Sequence, residues 1–168
     1  MSSRLLRPSL ISFSPDIASE VVAGTVPVEF RPKSTGCLPG TTVLVYASKN
    51  PQAVIGMYTA GRCAQYEDLN EAEQLLKEWG YGGWMPRSLL DRYLTGIEKG
   101  MAHEVLNPRK LPNIPLGTDD TGKKIPGPHS FRYADLERPD DKCHQAWQHL
   151  WEQVEAATGT SYAQAVNR

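Results

Sequence analysis

The sequence lacks long apolar runs and paired cysteines. Without a stretch of 18 consecutive apolar residues among its 168 residues, it predicts no transmembrane helix. Its three cysteines at positions 37, 63 and 143 form no CxxC pair, and their odd number excludes a complete disulfide framework. We therefore expect a reducing, cytoplasmic setting. The first residues, MSSRLLRPSLISFS, are interrupted by proline and serines, which is typical of mature protein and not of a signal peptide.

The signatures of the common catalytic loops are also missing. The chain contains no Walker loop, GxGxxG, HExxH or GxSxG motif. The four histidines, at positions 103, 129, 144 and 149, do not have the spacing of zinc ligands. The sequence therefore predicts neither a metal site nor a cofactor.

The charge is nearly balanced overall but unevenly distributed. A formal net charge of -1 excludes a wholly basic nucleic-acid-binding domain, but it leaves room for a local basic patch. Residues 1–50 contain five Lys or Arg against three Asp or Glu, whereas residues 62–80 contain two against five. A polyanion would therefore be attracted to the first region and not to the second.

The pattern of residues predicts an α+β fold with short strands. Ser14 and Pro15 indicate a helix start, and Gly24 a helix end. Apolar and β-branched runs indicate strands, and apolar residues at helical spacing indicate helices. The predicted strands are 9–13, 26–31, 42–47, 53–61, 101–106 and 130–133; the predicted helices begin near 14, 70, 86 and 140; and residues 107–128 are predicted to form an extended loop. This order suggests a small mixed or antiparallel β-barrel with flanking helices.

We expect one domain over residues 1–138 and a helical extension over residues 139–168 that packs on it. Trp147 and Trp151 lie one helical turn apart in the extension. This spacing favours docking of the helix on the barrel, and a surface for a protein partner is the alternative.

The segment VPVEFRPK, residues 26–33, concentrates polar chemistry on a strand. Glu29 and Arg31 are two residues apart, so they lie on one face of the strand, opposite Val28 and Phe30. They could be an ordinary solvated pair. They could also form a site, because a carboxylate accepts from the amine of a base and a guanidinium binds phosphate or a base edge. Lys33 follows directly.

Several motifs in the chain resemble the ASCH domain family of the PUA-like superfamily. The pattern Gly24-x-Val26-x-x-Glu29-x-Arg31 is similar to the family's GxKxxExR signature. The hairpin TVLVYASK, with AVIG after it, and the later segments LDRYL, GMAHEVLNP and PHSFRY also resemble the family in the right order, over residues 9–135.

The resemblance implies a PUA-like barrel with a cleft that takes RNA or a modified nucleoside. Glu29 and Arg31 match the signature, but Val26 stands where the family has lysine. Some relatives are amidohydrolases on acylated cytidine, and others cut single-stranded RNA. Since the amidohydrolase reaction depends on that lysine, its absence puts this activity in doubt.

Further basic positions are candidates for contact with phosphate. Lys49 lies at the predicted hairpin tip, where an exposed turn lysine is the simpler interpretation. Arg132 lies on the SFRY strand. The polar turn TDDTGKK is expected to be a mobile loop, from which Lys123 and Lys124 could reach a phosphate backbone.

The sequence thus predicts binding of RNA or another single-stranded nucleic acid in a cleft lined by several polar and basic residues: Glu29, Arg31, Lys33, Lys49 and Arg132. The alternative is a hydrolase of the same family, a single-stranded RNA nuclease or an acylated-nucleoside amidohydrolase. In that case Glu29 acts as general base, and a lysine, such as Lys33, or Arg31 stabilises the developing charge.

Overall fold

The computed structural model describes residues 6–32, 35–97 and 99–167, and its centre is one mixed β-sheet. The six strands are β1 Ser9–Phe13, β2 Val28–Arg31, β3 Thr42–Ala47, β4 Ala53–Tyr66, β5 Gly100–Ile114 and β6 Phe131–Tyr133. The helices are α1 Pro15–Ala23, α2 Leu69–Glu78, α3 Arg87–Tyr93, α4 His144–Thr158 and α5 Tyr162–Val166. None of these helices has the length and apolarity needed to cross a lipid bilayer.

The sheet has the order β2-β5-β4-β3-β1-β6 and curls into a half-barrel. The pairing of β1 with β3 is parallel, whereas the other neighbouring strands are antiparallel. The curl brings the end of β2 close to β1, where Arg31 Nη2 donates to the Ser12 carbonyl oxygen at 2.6 Å. The predicted mixed barrel with flanking helices is therefore confirmed in an open form.

Helix α1 packs against the inner face of the curl. Its ends follow the sequence signals: Ser14 is the N-cap, Pro15 is the first helical residue, and Gly24 ends the helix in a left-handed conformation with φ of 80°. The buried residues Ala18 and Val21 join the apolar cluster of the inner face. This packing places the start of α1 beside β2.

The outer face of the sheet is covered by two separate groups of helices. Helix α4 buries Trp147 and Trp151 against β3, together with Leu44 and Tyr46. Helices α2 and α3 pack on the other end of the sheet, over β2 and β5. The tryptophans are therefore part of the core, as the docking interpretation expects.

The largest difference from the predicted elements is the length of β5. Residues 107–114 continue this strand, although the prolines at 108 and 112 indicate a loop. β2 pairs with β5 at residues 101–104, so the continuation forms an edge on which the missing proline N–H groups are tolerated. Helix α2 begins at Leu69, close to the predicted start near residue 70, and Asp68 caps it, because the Asp68 carboxylate accepts from Glu71 N.

Candidate functional site

Strand β2 turns Glu29 and Arg31 towards the inside of the curled sheet. Val28 and Phe30 alternate with them and pack under α2 and α3, so the predicted division of the two faces is correct. The polar face is not solvated, however, because Glu29 is only 3% exposed to solvent. The pair lies inside the half-barrel.

The side chain of Arg31 connects three groups. Its Nε lies 2.8 Å from Glu29 Oε1, an ion-pair distance, although the N–H is not aligned for a hydrogen bond. Its Nη2 donates to Ser12 O, and its guanidinium carbon lies 4.6 Å from the centre of the Phe13 ring. The other oxygen of the carboxylate, Glu29 Oε2, is buried and has no hydrogen-bond partner among the described residues.

Burial changes the protonation of this carboxyl group. It raises the pKa of Glu29 from 4.5 to about 7, while the charge of Arg31 and the hydroxyl of Tyr93 act in the opposite direction. Glu29 therefore exchanges between the acid and the carboxylate near neutral pH. As an acid it can donate a hydrogen bond, and as a carboxylate it can only accept.

Two more polar side chains lie inside the sheet next to Glu29. His103 is the cross-strand neighbour of Glu29 on β5, and its Nε2 lies 2.7 Å from the Tyr58 hydroxyl. Burial lowers the pKa of His103 to about 4, and the nearby Arg31 charge adds to this effect. Burial also raises the pKa of Tyr58 well above its ordinary value. The imidazole is therefore neutral and serves as a hydrogen-bond partner of the phenol.

Two adjoining cavities open beside the pair. The inner pocket has a volume of about 220 Å³, with Glu29, Arg31 and Tyr93 on its wall. The outer cleft has a volume of about 610 Å³ and lies between the β3–β4 hairpin and the segment 124–129. Ser12 and Ser14 line both cavities, so the two cavities adjoin at the end of β1.

The structure brings together only part of the predicted site. Glu29 and Arg31 are in contact, whereas Lys33 lies outside the described residues. Lys49 is exposed at the hairpin tip, next to Ser48, which lines the outer cleft. Val26, the residue in the place of the signature lysine, is buried in the apolar cluster of the inner face.

Arg132 lies elsewhere, against the C-terminal helix. Its guanidinium carbon is 4.7 Å from the centre of a Trp147 ring, and its Nη2 lies 3.7 Å from Cys143 Sγ. The cause is the alternation of β6: Arg132 pairs with Leu10 of β1, whose side chain faces α4. A contact of Arg132 with nucleic acid stays a prediction, separate from the inner pocket.

Sequence reasoning missed most of the polar side chains around the pair. Tyr58, Tyr93 and His103 come from β4, α3 and β5, so only the folded sheet places them beside Glu29. A signal was present for His103, which lies in the buried run 102–105 of β5. A polar residue in such a strand needs a partner. Among the described residues, no group of His, Cys, Asp or Glu side chains could hold a metal ion.

Comparison with solved structures shows what this fold is similar to. The ASCH protein from Zymomonas mobilis is 21% identical, with a TM-score of 0.63 over 86% of this chain and 95% of that chain. A serine-to-alanine mutant of that protein gives 20% identity and a TM-score of 0.63 over 88% and 99% of the two chains. A tyrosine-to-phenylalanine mutant gives 20% and 0.64 over 86% and 98%. The expected ASCH-type fold is confirmed.

No family model matches the chain, and no curated protein matches it.

Proposed function

We propose that the protein binds single-stranded nucleic acid, RNA in the first instance, in the inner pocket and the adjoining outer cleft. The observation that carries the proposal is Glu29 on the wall of the inner pocket, whose oxygen Oε2 is buried and has no hydrogen-bond partner among the described residues, although the Tyr93 hydroxyl is close enough to act on the pKa of the carboxyl. A buried polar atom without a partner is costly, and a ligand that donates a hydrogen bond would remove that cost.

The hydrogen-bond donors and the flat face of a nucleobase are complementary to this pocket. The exocyclic amine or ring N–H of a base can donate to Glu29, and its flat face can lie against Tyr93 on the same wall. Arg31 is held by Glu29 and Ser12, so it is in position to contact a base edge or a phosphate. The ASCH-type fold is compatible with this function.

The test is RNA binding by the wild-type protein and by a Glu29→Gln variant. Labelled homopolymers of about 12 nucleotides, within the usual range for single-strand binders, are titrated at low salt and followed by fluorescence anisotropy. We expect saturable binding that weakens with salt, and a Glu29→Gln variant whose preference among the four bases changes by about tenfold. Glu152→Gln, an exposed substitution on α4, is the control and should leave the preference unchanged.

Two results would contradict the proposal. One is the absence of saturable binding by the wild-type protein at low salt. The other is unchanged affinity after Arg31→Ala combined with Lys33→Ala. Because Arg31 also joins β2 to β1, Arg31→Lys serves as a second variant that keeps the charge in place if the alanine variant fails to fold.

A second candidate function is hydrolysis, and one observation favours it. The pKa of Glu29, raised to about 7, is the value at which a carboxyl group acts most effectively as general base or acid at neutral pH. Incubation with RNA and with acylated nucleosides separates the two candidates. Turnover that Glu29→Gln abolishes would establish the enzyme, whereas saturable binding without turnover would establish the binding protein.

A further inference from the structure

The outer cleft contains a basic side chain that can complement a polyanion. Its lining consists of serines, Gln52, the rings of Tyr46 and His129, small and apolar residues and, within the described part of the chain, one residue of fixed charge, Lys124. No carboxylate of the described residues belongs to that lining. An anion in this cleft would therefore meet a positive charge without a competing negative one.

We propose that Lys124 holds a backbone phosphate of the bound nucleic acid in the outer cleft. This inference rests on the proposed function and specifies which cation serves it. Lys124 Nζ lies 3.2 Å from Gln52 Oε1, across the cleft on the β3–β4 hairpin. None of the ion pairs among the described residues includes Lys124, so a phosphate would displace only a neutral amide.

The segment that carries Lys124 is fixed in place before any ligand binds. Asp119 Oδ1 accepts hydrogen bonds from Thr121 N, Thr121 Oγ1 and Lys123 N. Thr118 forms a β-bridge with Lys124, and the next residue, Ile125, is 3% exposed within the core. These contacts reduce the entropy that the loop would lose on binding, because its backbone is already ordered.

A close approach fixes the other end of the same segment. Gly127 lies so near the ring of Tyr46 that a Cβ atom at this position would be 2.2 Å from a ring carbon. The loop therefore rests directly on β3, and Tyr46 and Gly127 both line the cleft. Lys124 thus projects from a supported wall.

The other predicted cations lie in different surroundings. Lys49 does not belong to the lining of the cleft, and Arg132 packs over Trp147. Lys142, a surface lysine that the sequence pattern did not single out, lies 3.7 Å from Asp119, a carboxylate that partly neutralises it. Lys124 lies in the lining of the cleft and forms no ion pair among the described residues, so its charge can bind a phosphate.

The experiment compares Lys124→Gln with Lys123→Gln. Both lysines are exposed neighbours and both substitutions remove one charge, but Lys123 does not line the cleft. Affinity for the labelled homopolymers is measured over a range of salt concentrations. We expect Lys124→Gln to weaken binding by about tenfold at low salt, equally for all bases, and to reduce the slope of log K against log salt by about 0.7. Lys123→Gln should retain the wild-type slope.

Each other outcome has a distinct meaning. If the wild-type protein binds and Lys124→Gln has the wild-type slope, this inference is overturned and the proposed function stands. The same holds if the two variants change affinity and slope equally. Failure of the wild-type protein to bind would overturn both. Thermal unfolding midpoints of the two variants equal to that of the wild type would confirm that the compared proteins are equally folded.

Discussion

Glu29 is the residue at which this fold departs most from what stability alone would select. Removing a carboxyl group from water costs free energy, and the ion pair with Arg31 does not recover all of it, since the pKa of Glu29 is still raised to about 7. A well-packed apolar side chain at this position would cost less. The position of Glu29 inside the sheet, with one oxygen that has no hydrogen-bond partner among the described residues, is therefore better explained by recognition of a ligand than by folding.

The raised pKa predicts how the stability contribution of Glu29 depends on pH. The folded protein keeps the Glu29 proton up to about pH 7, whereas the unfolded chain releases it near 4.5. Between these values the folded state binds more protons, so the contribution of Glu29 to stability decreases as pH rises. The unfolding free energy of Glu29→Gln minus that of wild type should therefore increase by about 3 kcal/mol across this window, measured by urea denaturation.

The comparison with Glu29→Gln is needed because other groups titrate as well. His103, whose pKa is lowered to about 4, makes stability rise with pH between that value and 6.5, which is the opposite trend. This contribution is present in both proteins and cancels in the difference. Parallel curves for the two proteins would show that Glu29 is ionised throughout and would contradict its raised pKa.

At the scale of elements, the crossing of α1 over β4 depends on a glycine. A Cβ atom on Gly56 would lie 2.1 Å from Val22 Cγ1 and 2.7 Å from the Arg109 carbonyl oxygen. Neither neighbour can move freely, because one is a short branched side chain and the other is backbone. Gly56→Ala should therefore lower the unfolding free energy by about 1–3 kcal/mol, measured by chemical denaturation.

Gly83→Ala is the matched control for this substitution. A Cβ atom on Gly83 would have no heavy atom within 4 Å, apart from its chain neighbours. Stability should change little there, because the added methyl group enters open space. Equal effects of the two substitutions would show that the close contact between α1 and β4 is not what makes Gly56 necessary.

The elements also show where local sequence information is sufficient. Strands β1 and β3 follow from apolar and β-branched runs, and the ends of α1 from proline and glycine, since these signals act within a few residues. The extension of β5 through Pro108 and Pro112 could not be predicted locally. Whether a proline is tolerated in a strand depends on the neighbour of that strand, which only the tertiary arrangement determines.

The same limit applies to the site at the scale of the whole molecule. Glu29 and Arg31 could be identified because they lie two residues apart on one strand. Tyr58 and His103 are remote in sequence, and their place beside Glu29 depends on the register of β4 and β5. Arg132 could also be identified locally, but the register of β6 with β1 turns it towards Trp147 of α4 and away from the inner pocket.

The segment 139–168 contributes part of the apolar core of the molecule. Helix α4 covers an outer apolar face of the sheet that includes Leu44, Met57 and Leu111. Deletion of residues 139–168 would expose this face to water, and an apolar surface of this kind leads to unfolding or aggregation. We expect the truncated protein to lose its cooperative thermal transition, as measured by circular dichroism.

Two point substitutions on α4 test whether the packing of this helix stabilises the protein without removing the whole segment. Trp147 is completely buried, so Trp147→Ala leaves a large cavity and should lower the unfolding free energy by about 3–5 kcal/mol. Gln148 is exposed on the same helix, and Gln148→Ala should have little effect. A truncated protein that still unfolds cooperatively, together with a stable Trp147→Ala variant, would contradict the structural role. The helix would then be available as the surface for a protein partner, the alternative that its sequence leaves open.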